Sequence, residues 1–247
     1  MEVDMVVATT PNASAPLDPS TSAQSRWRRQ RLPATAGYLA ALIAVSAVFS
    51  VLSDSAQTRI VLHASTNLHN LLSGRMGTLL SSAFVIGDVV GALVIIPLLA
   101  GLLALAELRF GAVHLVGVFL AGHIGTTLLV AAGLWLGVEA GWVPGSVRWA
   151  EDVGISYGAM ALVGALIAAV PQRWRIAWTT AWSAVAVGGV LIGQTFTHVG
   201  HLVAFIIGTA AGFCMIHART TARRRLTRVE IALLVVSALL AAMLLMG

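Results

Sequence analysis

Long apolar runs, separated by short segments that contain arginine, make up most of the chain. A helix needs about 20 mostly apolar residues to cross the hydrocarbon core of a bilayer, and most of these runs approach or exceed that length. The pattern therefore predicts an all-α polytopic membrane protein. We place seven spans, at roughly 36–53, 82–106, 112–136, 154–170, 176–195, 199–217 and 229–246.

The composition excludes a water-soluble protein. Hydrophobic residues make up 58% of the chain and charged residues only 10%, which leaves too little polar surface for a soluble domain of this length. The single cysteine, Cys214, excludes a disulfide framework. Loop arginines explain the net charge of +5, and no nucleic-acid-binding motif accompanies it. We expect the lipid bilayer as a partner, and no nucleic acid.

The arginines between the spans predict the orientation, because cytoplasmic loops carry an excess of positive charge. One set of loops contains only Arg59, Arg75 and Arg148. The other set contains Arg109, Arg173, Arg175, Arg219, Arg223, Arg224, Arg225 and Arg228. We therefore expect a multi-pass protein of the plasma membrane with a cytoplasmic N-terminus and an external C-terminus.

Two regions are predicted from this pattern. Residues 1–33 are rich in Ser, Thr, Ala and Pro and lack apolar periodicity, as is typical of a disordered cytosolic tail. Residues 34–247 form the transmembrane domain. Its first external loop, at about 54–80, is too long for a tight connection, and loops of that length often cover a site.

A serine and a histidine fall at the same predicted depth. Ser156 lies near the external start of the fourth span, and His201 lies near the external start of the sixth. A hydroxyl and an imidazole in hydrogen-bonding reach are a candidate nucleophile and base. Small residues on the two spans would let the helices pack closely, namely Gly158, Gly164, Ala204, Gly208 and Gly212.

Structural explanations of these residues stay open. Small-residue faces are common in membrane bundles, and a helical serine can bond to a preceding carbonyl. His123, at mid-membrane, is explained as a buried, neutral, hydrogen-bonded histidine. His63 and His69 could meet His198 at a metal, but sequence spacing gives no support for that geometry. We expect no metal and no cofactor.

Several short motifs resemble those of the rhomboid family, the intramembrane serine proteases and their inactive relatives. Gly154-Ile155-Ser156, followed by Gly164-Ala165, is similar to the family's serine motif. His201 with Ala204 and Gly208 resembles its histidine motif, and Glu107 with Gly111 resembles its Glu-x-x-x-Gly. The resemblance covers roughly residues 36–246.

The resemblance implies a rhomboid-like bundle of six core spans plus a seventh C-terminal span. It also implies a serine endopeptidase in which a Ser156–His201 dyad cleaves transmembrane protein substrates near the external face. The Ser156 backbone amide would then hold the oxyanion, with support from Gly154, Asn67, Asn70 or His198.

Three departures favour an alternative, a catalytically inactive relative that binds or escorts transmembrane helices as clients. Tyr157 replaces the glycine that follows the family's serine, and Met160 stands where an aromatic is frequent. Gly91 and Ile95 fall where the family has a histidine and an asparagine that help to hold the oxyanion, and loss of one such donor can lower the rate by on the order of a hundredfold to a thousandfold. A small transporter is a third class, but few intramembrane charges and no inverted repeat support it.

Overall fold

A computed structural model of the chain describes residues 32–87, 89–218 and 226–246, with side chains from 32–87, 91–217 and 226–243. Almost all of the predicted cytosolic tail, and most of the arginine-rich segment before the last helix, lie outside the described residues. The described residues form helices joined by turns and loops, without a β-strand. This confirms an all-α protein.

Ten α-helices follow one another along the described residues. Five of the described helices are long and apolar enough to cross a membrane, while Ser156–Ala168 is a shorter apolar helix. A polytopic membrane protein is thereby supported, and the count of six core spans plus one stays a prediction. The helices are α1 (Pro33–Ser50), α2 (Asp54–Ala64), α3 (Leu68–Leu72), α4 (Thr78–Ser81), α5 (Val89–Phe110), α6 (Ala112–Glu139), α7 (Ser156–Ala165), α8 (Gln172–Gly193), α9 (Phe196–Ala218) and α10 (Arg228–Met246).

Helix α7 lies at the centre of the bundle and is buried along its whole length after Ser156. Glycines let its neighbours approach its backbone. A Cβ atom on Gly208 of α9 would overlap the carbonyl of Ala161, and one on Gly158 would lie 2.6 Å from the ring of Phe119 on α6. Since a larger side chain at these places would push the helices apart, the small residues allow the tight packing around α7.

A buried carboxylate fixes the start of the first helix. Glu107, near the end of α5, accepts hydrogen bonds from the backbone N–H groups of Ala34 at 3.1 Å and Thr35 at 2.7 Å. These N–H groups have no partner within α1, and the helix dipole favours a negative charge there. Gly111 follows at φ 80°, in a conformation that suits glycine, and turns the chain into α6. The Glu-x-x-x-Gly motif therefore has a structural explanation.

The last helix is fastened at the same end of the bundle. Thr227 and Glu230 form a capping box at the start of α10, with the Thr227 N–H donating to the Glu230 carboxylate at 2.7 Å. Glu230 also pairs with Arg109 of α5 at 3.1 Å. We call this end of the bundle the Arg109 end and the opposite one the Ser156 end.

The long loop at the Ser156 end is folded into α2, α3, α4 and a short 3₁₀ turn, Ser82–Phe84. The hydroxyl of Tyr38 on α1 donates to the carbonyl of Ala83 at 2.6 Å. Ser82 is fully buried, and its hydroxyl shares a 3.1 Å hydrogen bond with Nε2 of His123 on α6. The loop is thereby anchored to two spanning helices.

Candidate functional site at the Ser156 end

Ser156 and His201 lie at the same end of two helices in contact. Matching close approaches join Tyr157 with Gly200, Ala161 with Gly208, and Ala165 with Gly212. Both residue numbers rise together along these pairs, so α7 and α9 run parallel. Ser156 is the first residue of α7, and His201 lies in the second turn of α9. The structure therefore places the two side chains at a common level.

No hydrogen bond joins these two side chains. His201 is 3% exposed, yet neither Nδ1 nor Nε2 has a hydrogen-bond partner among the described residues. Ser156 is half-buried. The nitrogen of a general base must lie about 2.6–3.2 Å from the hydroxyl oxygen whose proton it removes. In this structure His201 is not placed to activate Ser156.

The ring of Tyr157 lies against His201 in the contact between the two helices. The two rings pack edge to face, with centroids 5.8 Å apart and planes at 76°. A Cβ atom on Gly200 would overlap the Tyr157 ring, so the ring fills the space between α7 and α9 at this level. The departure from the family's glycine thus places a bulky side chain directly beside the histidine.

Asp152 ties the segment before α7 to the long loop. The Thr66 hydroxyl donates to its carboxylate at 3.0 Å, and its backbone N–H donates to the Ser65 hydroxyl at 2.9 Å. Burial raises the pKa of the Asp152 carboxyl to about 6, while hydrogen bonding by Thr66 opposes that rise. The Tyr157 hydroxyl lies near this carboxyl but outside hydrogen-bond geometry, and it has no partner among the described residues.

Gly154 has a structural role in the same segment before α7. Its φ of +116° is a conformation that L side chains rarely adopt, and its N–H donates to the Ser82 carbonyl at 2.9 Å. This bond fastens the start of α7 to the buried 3₁₀ turn. The Gly154 amide is therefore already engaged and is not directed at an oxyanion.

The two asparagines proposed as oxyanion support are part of the loop's own framework. The Asn67 side chain accepts from the Asn70 N–H at 2.9 Å and caps α3. The Asn70 side-chain amide donates to the carbonyls of Leu62 and Ser65, at 2.9 and 2.8 Å. Asn70 therefore has both of its side-chain hydrogens committed to these carbonyls and is not free to serve the serine without rearrangement of the loop.

His198 lies one turn before His201, with ring centroids 6.3 Å apart. Its Nδ1 atom is 2.6 Å from the Thr195 hydroxyl, which makes a local turn at the start of α9. Among the described residues, no group of three His, Cys, Asp or Glu side chains could hold a metal ion.

Sequence reasoning missed the part that Tyr157 and Asp152 play here. Tyr157 was noted only as a departure from a motif, and Asp152 was not among the candidate site residues. Tyr157, Ala161 and Ala165 are four residues apart, so they lie on one face of α7 and face the same neighbouring helix. This spacing could have placed the Tyr157 ring in the interface with α9. The bonds from Asp152 to Thr66 join positions 86 residues apart, and local sequence carries no signal for such a pair.

Comparison with known proteins agrees with the fold. No curated protein and no solved structure matches the chain. A family model described as rhomboid-like protein matches residues 28–224, which include α1 to α9. The chain therefore belongs to the rhomboid-like protein family.

Proposed function

We propose that this protein is a catalytically inactive rhomboid-like membrane protein that binds transmembrane helices of other proteins. The observation that carries the proposal is the contact between Tyr157 and His201. The ring occupies the space beside the imidazole, and the imidazole makes no hydrogen bond.

The absence of side-chain donors at two of the expected oxyanion positions supports the same conclusion. Gly91 and Ile95 have no side-chain donor, and the Asn70 amide hydrogens are used within the loop. Preorganised donors are usually the largest single contribution to acyl-transfer catalysis. Without a base and without these donors, Ser156 has the reactivity of an ordinary hydroxyl.

Uncovered helix surface supports a binding role. Helix α8 leaves most of its surface uncovered, since its buried residues are Trp182 and Ala186. A transmembrane client could pack there.

A second candidate function is an intramembrane serine endopeptidase that uses Ser156 and His201. The parallel arrangement of α7 and α9 favours it, because both side chains lie at one end of the bundle. In this case His201 has to come within hydrogen-bonding distance of Ser156 before the dyad forms. The plasma membrane and the cytoplasmic N-terminus stay predictions under either function.

The two functions are separated by reconstituting the full chain in liposomes with single-span test proteins. We expect no cleavage by the wild type beyond that of Ser156→Ala. We also expect a photoactivatable residue at Val187, exposed on α8, to crosslink test helices more than one at Val113, exposed on α6. Cleavage that is lost in both Ser156→Ala and His201→Ala would overturn the proposal and establish the protease. Equal crosslinking at Val187 and Val113 would refute the binding role.

A further inference from the structure

An open cleft of about 1180 Å³ lies at the Arg109 end, away from Ser156 and His201. Its walls come from the end of α5, the turn that leads into α8, the end of α9 and the start of α10. None of the residues considered for catalysis lines it. We propose that this cleft binds the headgroup of an anionic phospholipid, with the acyl chains along its apolar wall.

The charge of the lining favours an anion. The lining contains three arginines, Arg109, Arg173 and Arg175, and one acid, Glu230, so its formal charge is +2. The carboxylate of Glu230 is already paired with Arg109 at 3.1 Å. Basic clefts between spanning helices at a membrane surface are a recurrent way to bind anionic lipid headgroups.

The lining contains two hydrogen-bond donors that a headgroup oxygen could contact. The Arg173 guanidinium lies 5.9 Å above the ring of Trp174, which holds its charge near the mouth of the cleft. Among the described residues, Arg173 takes part in no salt bridge. The indole N–H of Trp178 is buried and has no described hydrogen-bond partner. A phosphate or glycerol oxygen would satisfy both groups.

The apolar part of the lining favours a lipid over a soluble anion. Phe110, Met215, Ile216 and Leu234 provide a hydrophobic wall beside the arginines. Trp174 is 56% exposed next to them, and amphipathic rings of this kind concentrate at the membrane surface. A soluble phosphate would use the charges but leave this wall in water, whereas a phospholipid covers both.

Native mass spectrometry of the purified full chain tests the proposal, with phosphatidylglycerol and phosphatidylcholine as probes. We expect the wild type to retain phosphatidylglycerol in preference to phosphatidylcholine. Arg173→Gln should weaken that retention about fivefold, which corresponds to the roughly 1 kcal/mol that one arginine contributes near an anionic lipid surface. Trp178→Phe, which removes the N–H donor and keeps an aromatic ring of smaller size at this position, should weaken it as well.

Arg148→Gln is the matched control, because Arg148 lies at the Ser156 end in an exposed pair with Glu139. It should leave lipid retention unchanged. Equal retention of the two lipids, or an equal loss in Arg148→Gln and Arg173→Gln, would overturn the proposal. Displacement of phosphatidylglycerol by millimolar inorganic phosphate would show a simple anion site and would also overturn it. If Arg173→Gln fails to fold, Trp178→Phe decides, and unchanged retention in that variant contradicts the proposal.

Discussion

Two serine–histidine pairs among the described residues differ in whether a hydrogen bond joins them. Ser82 and His123 share a 3.1 Å hydrogen bond and are 0% and 2% exposed. Ser156 and His201 resemble a catalytic pair by motif but share no hydrogen bond, and Tyr157 packs beside the histidine. The hydrogen-bonded pair is buried and anchors a loop. Close geometry therefore marks a structural bond here, while the pair that resembles the catalytic motifs lacks the hydrogen bond that catalysis needs.

The largest expected effect comes from removing each histidine in turn. His123→Ala should lower the free energy of unfolding by about 2–5 kcal/mol, because it leaves a cavity and an unpaired Ser82 hydroxyl. His201→Ala leaves a similar cavity but breaks no hydrogen bond, so its loss should be smaller by about 1–3 kcal/mol. Reversible unfolding in mixed detergent micelles measures both. Equal losses would mean that His201 has a partner as good as that of His123.

An intermediate effect is expected where α7 meets α9. Gly208→Ala would drive a Cβ atom into the Ala161 carbonyl and should destabilise the protein by about 1–3 kcal/mol. Gly188→Ala on α8 is the control, since a Cβ atom there meets nothing within 4 Å. The same unfolding measurement applies. If both variants keep wild-type stability, the two helices do not hold the contact that sets Tyr157 beside His201.

A smaller effect is expected from the pH dependence of Asp152, whose pKa burial raises from 3.8 to about 6. A carboxyl with a raised pKa in the folded state favours folding below pH 4, and that contribution is lost as the pH rises through 6. The full shift corresponds to about 3 kcal/mol, and solvent screening of the partly exposed Asp152 reduces this figure. Relative to Asp152→Asn, the wild type should therefore lose about 1–2 kcal/mol between pH 4 and pH 7.

The control for Asp152 is Glu151→Gln, which changes the exposed neighbour. This variant should keep the wild-type pH dependence, as followed by melting temperature from pH 4 to pH 7. If the melting temperature of Asp152→Asn still falls between pH 4 and pH 7 as that of the wild type does, another group is responsible for the pH dependence. That result would contradict the assignment to Asp152.

The sequence predicted the helices well where hydropathy and helix formation coincide. It placed a span at roughly 112–136, and α6 is Ala112–Glu139. It placed another at roughly 82–106, whereas α5 is Val89–Phe110. The difference has a physical cause. Residues 83–86 are apolar because they pack into the bundle as part of a 3₁₀ turn and loop, and hydropathy does not distinguish a buried loop from a helix.

The candidate site was predictable in its position but not in its contacts. Ser156 and His201 were expected at one end, and the parallel run of α7 and α9 places them there. The Tyr157 ring packs beside His201 in the space that Gly200 leaves on another helix, and local sequence does not show this contact. Asn67 and Asn70 suit an oxyanion site by residue type, but the loop uses both amide hydrogens of Asn70 and the side-chain oxygen of Asn67.

The most direct test of the central claim is covalent labelling of the purified protein with a fluorophosphonate, which reacts with activated serines. We expect no labelling of the wild type above that of Ser156→Ala. Tyr157→Gly, which restores the family's glycine, is the informative companion, because labelling that appears only in this variant would assign the block to the tyrosine ring. Labelling of the wild type that disappears in Ser156→Ala and in His201→Ala would contradict the account.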